Sequence, residues 1–60
     1  MWGYSDYMIT VHQYGSVVRS FIISESDGKI NDYTEDLENQ YNNNREKEEG
    51  KFTVSFKKMK

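Results

Sequence analysis

Apolar and polar residues along this chain fall into three alternating runs and one run with helical spacing. In residues 6–14 (D-Y-M-I-T-V-H-Q-Y), Tyr7, Ile9 and Val11 face one way and Met8, Thr10 and His12 the other. That period of two marks a half-buried strand. Residues 16–24 (S-V-V-R-S-F-I-I-S) predict a second strand. Gly15 supplies the turn between them, because glycine takes positive φ without steric cost. Both a two-residue and a three-residue loop fit the pattern, and the choice flips which faces pair. The three-residue loop is preferred, since it gathers Tyr7, Ile9, Val11, Phe21 and Ile23 on one side. Residues 51–58 (K-F-T-V-S-F-K-K) predict a third strand. Phe52, Val54 and Phe56 are its core side, with Lys51, Thr53, Ser55 and Lys57 outside.

Tyr33, Leu37 and Tyr41 recur every four residues, placing them along one face of an α-helix over about residues 32–44. Asp32 and Glu35 have the spacing of a capping box, Asn31 is a neighbouring cap candidate, and Ile30 is placed to staple the first turn. Residues 25–29 are polar and turn-like. After Tyr41 the apolar pattern stops, and residues 42–49 read either as a fraying helical extension or as a charged loop ended by Gly50. Trp2 and Tyr4 are expected to pack over a core edge or an interface. The order β-β-α-β predicts one α+β domain over residues 1–60, a three-stranded antiparallel sheet with one helix.

Length then restricts the picture. At 60 residues the chain is near the lower limit for a self-sufficient core, since domains of this size bury only about 60% of the surface of the unfolded chain. With no cysteine and a single histidine, His12, neither disulfides nor a thiolate or histidine-rich metal cluster can staple the fold. A second copy is the remaining staple, so a homodimer is expected. No run reaches the ~18 apolar residues of a membrane span. Residues 1–15 lack the basic start and apolar core of a signal peptide. A cytoplasmic protein without membrane contact is expected.

The net charge of −2 conceals a strong asymmetry. Between residues 25 and 38 the acids Glu25, Asp27, Asp32, Glu35, Asp36 and Glu38 oppose Lys29 alone, whereas residues 51–60 carry Lys51, Lys57, Lys58 and Lys60 and no acid. Four helix carboxylates from Asp32 to Glu38 fall within about 9 Å of helix axis. Duplex DNA carries a phosphate every ~1.7 Å of axis, or ~3.4 Å per strand. The acid density lies between these values. Such a surface repels nucleic acid and attracts a protein whose groove is built for it. Direct nucleic-acid binding through residues 51–60 is not expected either, because the phenylalanines and lysines there alternate faces and form no joint stacking platform. No catalytic constellation, glycine-rich phosphate loop or metal-ligand spacing is present. The chain reads as a binding protein without catalytic residues, cofactor or metal.

The element order, the length, the acidic helix and the run Leu37-Glu38-Asn39-Gln40-Tyr41-Asn42-Asn43 resemble the short uracil-DNA glycosylase inhibitors of small Bacillus podophages. That resemblance implies a dimer that occupies the DNA groove of a host uracil-DNA glycosylase in the host cytoplasm. It also implies an apolar pocket between two helices that captures a bulky residue of the enzyme. Carried over by position, Leu37, Glu38 and Tyr41 help form the pocket, and Asp32, Glu35 and Asp36 stand in for phosphates. This chain has Leu37 where the family has an aromatic, and Tyr33, one turn earlier, is the other candidate for that anchor. Two alternatives stay open: an inhibitor of another DNA-handling host enzyme, and a small protein–protein interaction module without mimicry.

Overall fold

A computed structural model describes residues 3–43 and 50–59. The elements are β1 (Tyr4–Gln13), β2 (Ser16–Ser26), α1 (Ile30–Tyr41) and β3 (Phe52–Lys58). They form one antiparallel sheet, ordered β2-β1-β3, with α1 following one edge strand and preceding the other. The fold is therefore the α+β, β-β-α-β arrangement. No helix among the described residues is long and apolar enough to cross a membrane.

The hairpin reaches the expected pairing by a different device. Gln13 pairs with Ser16, so the loop is Tyr14-Gly15, two residues rather than three. Both take positive φ, 56° and 76°, the backbone of a type I′ turn whose twist matches the flanking strands. Continued unbroken, that register would set Ile9 opposite Ser20. Instead the register shifts between Val11 and His12: His12 faces Val17, Val11 faces Arg19, and Val18 is the extra residue of a β-bulge. One inserted residue reverses the parity, so Ile9 pairs with Phe21 and Tyr7 with Ile23. The five apolar residues share a face after all.

That inner face carries the core. Ile9 and Val11 are fully buried, and Tyr7, Ile30 and Val54 complete the cluster. Ile9 faces Phe56 and Val11 faces Val54 across β1 and β3. Phe56 lies on the predicted side yet is 37% exposed; its ring meets Tyr7 edge-on at 5.5 Å. Tyr4 does not pack over a core edge: it pairs with Ser26 on the uncovered outer face and is exposed. Trp2 lies outside the described residues.

The helix departs from its sequence signals at both ends. It begins at Ile30, two residues before Asp32, and its N-cap is Lys29 with no side-chain cap hydrogen bond. Asn31 and Asp32 are thus inside the helix, and the capping box does not form. Burying Ile30 outweighs a cap worth about 1 kcal/mol, since a fully buried aliphatic side chain gains roughly 1.5–3 kcal/mol. The first helical hydrogen bond runs from Tyr33 N–H to Lys29 O at 2.9 Å. Thr34 is buried too, and its hydroxyl donates to Asn31 O at 3.0 Å. At the other end, the helix stops at Tyr41, short of residue 44, and Asn42 N–H still donates to Glu38 O at 3.0 Å. The question of a helical extension over residues 44–49 lies outside the described residues.

Candidate protein-binding surface on the helix

Asp32, Glu35 and Asp36 are exposed. Their i, i+3, i+4 spacing puts them on one face of α1, and exposed Asn39 continues it a turn later. From Asp32 to Asp36 the helix rises about 6 Å. These three carboxylates form a compact acidic strip with solvent in front of it.

Glu38 does not belong to that strip. It is half-buried, and its Oε1 accepts the backbone N–H of Val54 at 3.1 Å. One turn further, Asn42 Oδ1 accepts Phe52 N–H at 2.7 Å while Asn42 Nδ2 donates to Phe52 O at 3.0 Å. Alternate residues of an edge strand turn both backbone groups away from the sheet. On β3, Phe52 and Val54 are two of these; Asn42 takes up both groups of Phe52 and Glu38 the N–H of Val54, much as a fourth strand would. Of the four grouped carboxylates, three face outward and one fastens the helix to the sheet.

Tyr33, Leu37 and Tyr41 are half-buried and pack against the core, but Ile30 and Thr34 are its deepest helix residues. The buried stripe is rotated from the expected one, so each of the three keeps part of its surface open. Tyr41 is held most firmly: its ring lies 5.1 Å from Phe52, and its hydroxyl accepts a 3.2 Å hydrogen bond from Arg19 Nη1. The Arg19 guanidinium also sits 5.0 Å from the Phe21 ring centroid, within cation–π range. Arg19, Leu37, Gln40 and Tyr41 line an open depression of about 260 Å³ between β2 and the end of α1. Another, of about 350 Å³, lies at the hairpin end among His12, Tyr14, Lys51, Thr53 and Ser55, away from the acidic strip.

A polar cluster that sequence patterning did not bring together lies at the opposite end of the sheet. Tyr7 Oη donates to Asp27 Oδ1 at 2.5 Å, and Lys58 Nζ lies 3.7 Å from Asp27 Oδ2. The hydrogen bond to Asp27, followed by burial and the Asp27 charge, pushes the Tyr7 phenol up to about 12. Hydrogen bonds from Tyr7 and then Ser5 hold the Asp27 carboxyl below its ordinary value, and Lys58 adds to this. Twenty residues separate Tyr7 from Asp27, and no local spacing signals such a pair. The cluster ties the β2–α1 turn to β1 and the end of β3.

Among the described residues, no group of three or more metal-ligating side chains comes together, and no buried side-chain polar atom lacks a partner. No family model, curated protein or solved structure matches this chain. Fold and surface together define a small α+β protein with an acidic helix face beside an aromatic-rimmed depression.

Proposed function

We propose that this protein is an inhibitor that blocks a host uracil-DNA glycosylase by presenting the acidic face of α1 to the enzyme's DNA groove. The observation that carries the reading is the exposure of Asp32, Glu35 and Asp36 on one helical face, adjoining half-open Leu37 and Tyr41. The carboxylates supply the polyanion-like charge that steers encounter with a cationic groove. Leu37, Tyr41 and Tyr33 supply apolar contact that phosphates lack, and buried aromatic anchors slow dissociation. Glu38 acts from behind by fixing the helix on β3. The protein binds and does not catalyse, needs no cofactor, and works as a homodimer in the cytoplasm of the host.

The test is uracil release from a uracil-containing oligonucleotide by a bacterial uracil-DNA glycosylase, with this protein in excess. Inhibition that competes with DNA supports the reading; undiminished release rejects it. Inhibition of a different DNA-handling enzyme with the glycosylase unaffected would keep the charge surface and replace the target. Partner binding that survives neutralisation of Asp32, Glu35 and Asp36 would instead mark an interaction module without mimicry.

A further inference from the structure

The two sheet edges are treated differently. On β3, Glu38 takes up the N–H of Val54 and Asn42 both outward backbone groups of Phe52. On β2, the outward groups follow from the ladder. Met59 N–H donates to Asp6 O, and Asp27 N–H donates to Gly3 O. Even-numbered β1 residues therefore turn toward β3 and odd-numbered ones toward β2. Beyond the bulge, Arg19, Phe21, Ile23 and Glu25 then point their backbones at β1, and Ser20, Ile22 and Ser24 point theirs outward. At Ser26 the outward N–H is taken by the Glu25 carboxylate at 2.7 Å. From Ser20 to Ser24, no described residue provides such a partner. The stretch S-F-I-I-S is uncharged, and Ile22 is 58% exposed. An edge stretch with open backbone groups and no charge of its own is a template for another strand.

We propose that a second copy of this chain covers this edge, its β2 pairing antiparallel with the first about a twofold axis at Ile22. An isologous contact repeats each pair. Centring on Ile22 sets Ser20 opposite the partner's Ser24, and Ile22 opposite the partner's Ile22. All of these have outward backbones, and each such pair exchanges two hydrogen bonds. The same register sets Phe21 opposite the partner's Ile23 and Arg19 opposite the partner's Glu25, all on the inner face. The edge is thus self-complementary in charge. A shift to Phe21 or Ile23 as centre also matches outward backbones, but sets Arg19 opposite the partner's Ile23 or the partner's Asp27. Both Asp27 oxygens are already engaged within the chain, by Tyr7 and Lys58, so the glutamate partner for Arg19 selects Ile22.

The joined sheet has six strands with both helices on one face. Each α1 lies beside β3 rather than β2, so the helices flank an inner trough floored by Phe21 and Ile23 of both copies. The pairing shares with the proposed function only the need for a second copy, and its test uses this protein alone.

The test combines charge reversal and crosslinking. Sedimentation equilibrium of the intact protein should show a dimer. Arg19→Glu or Glu25→Arg alone should weaken it about tenfold, through two symmetry-related like-charge pairs, and the double reversal should restore it. Lys57→Glu, on the outer face of β3, should leave it unchanged. Because the chain has no cysteine, single cysteines at positions 21, 22 and 23 report the register. Directly opposed hydrogen-bonded residues have Cα atoms about 5.5 Å apart, within disulfide range, so Ile22→Cys should crosslink fastest under mild oxidant. A monomer at high micromolar concentration overturns the proposal, as does a dimer indifferent to both reversals or one that crosslinks best at position 21 or 23. A dimer with this register but no glycosylase inhibition would leave the pairing standing and remove the functional reading.

Discussion

Glu38 offers the sharpest test of how this fold is held, because sequence alone groups it with the other helix acids. Replacing Glu38 with alanine removes the acceptor for Val54 N–H at 3.1 Å and loosens α1 from the β3 edge. A hydrogen bond to a charged group contributes about 1.5–3 kcal/mol, and the half-buried site puts this one at the lower end. Alanine returns a few tenths of a kcal/mol of helix propensity. The net cost is ~1 kcal/mol, which lowers the melting midpoint of a domain this small by about 4–8 °C. Glu35→Ala and Asp36→Ala remove exposed carboxylates, where surface changes stay within about ±0.5 kcal/mol. Glu38→Gln keeps an acceptor oxygen and should recover most of the loss. Thermal unfolding followed by far-UV circular dichroism, at one fixed protein concentration so that self-association does not move the midpoint, measures all four. Equal midpoints for Glu38→Ala and Glu35→Ala would refute the edge-satisfaction argument.

The remaining predictions are independent of that one. Tyr14 adopts left-handed backbone at φ 56°, which costs a non-glycine residue roughly 1–2 kcal/mol, so Tyr14→Asn should raise the melting midpoint by a few degrees; a fall would refute the strain. One tyrosine should ionise near 12 while Tyr7 keeps its bond to Asp27, and Asp27→Asn should lower that value, as read by tyrosinate absorbance. The Tyr7 phenol is raised from an ordinary 10.0, so its contribution to stability is full below pH 10 and lost as pH rises toward about 12. Asp27 is lowered, so its contribution is full above the ordinary carboxylate range and lost as pH falls through its lowered value. In the glycosylase assay, reversing Glu35 and Asp36 together should mainly slow association and make it less salt-dependent, whereas Tyr41→Ala should mainly speed dissociation. Unchanged rate constants in both variants would count against the helix as the binding face.

Local pattern carried far in this chain. The alternation in residues 6–14, 16–24 and 51–58 and the four-residue recurrence of Tyr33, Leu37 and Tyr41 were enough for the β-β-α-β order and the α+β class, because each element displays its own period. The exposure of Asp32, Glu35 and Asp36 was legible too, since charged side chains remain in water unless something pairs them. What local pattern could not hold were the choices made between distant segments. Burial of Ile30 moved the helix start past the capping box, and the Val18 bulge delivered the expected face pairing through a shorter turn. Glu38 and Asn42 were committed to β3 because an edge strand's backbone must be satisfied by whatever packs beside it. Tyr7 met Asp27 across twenty residues because a buried tyrosine's hydroxyl needs an acceptor. Periodicity is a property of one segment, but burial and hydrogen-bond satisfaction depend on which segments meet, and only the folded chain decides that.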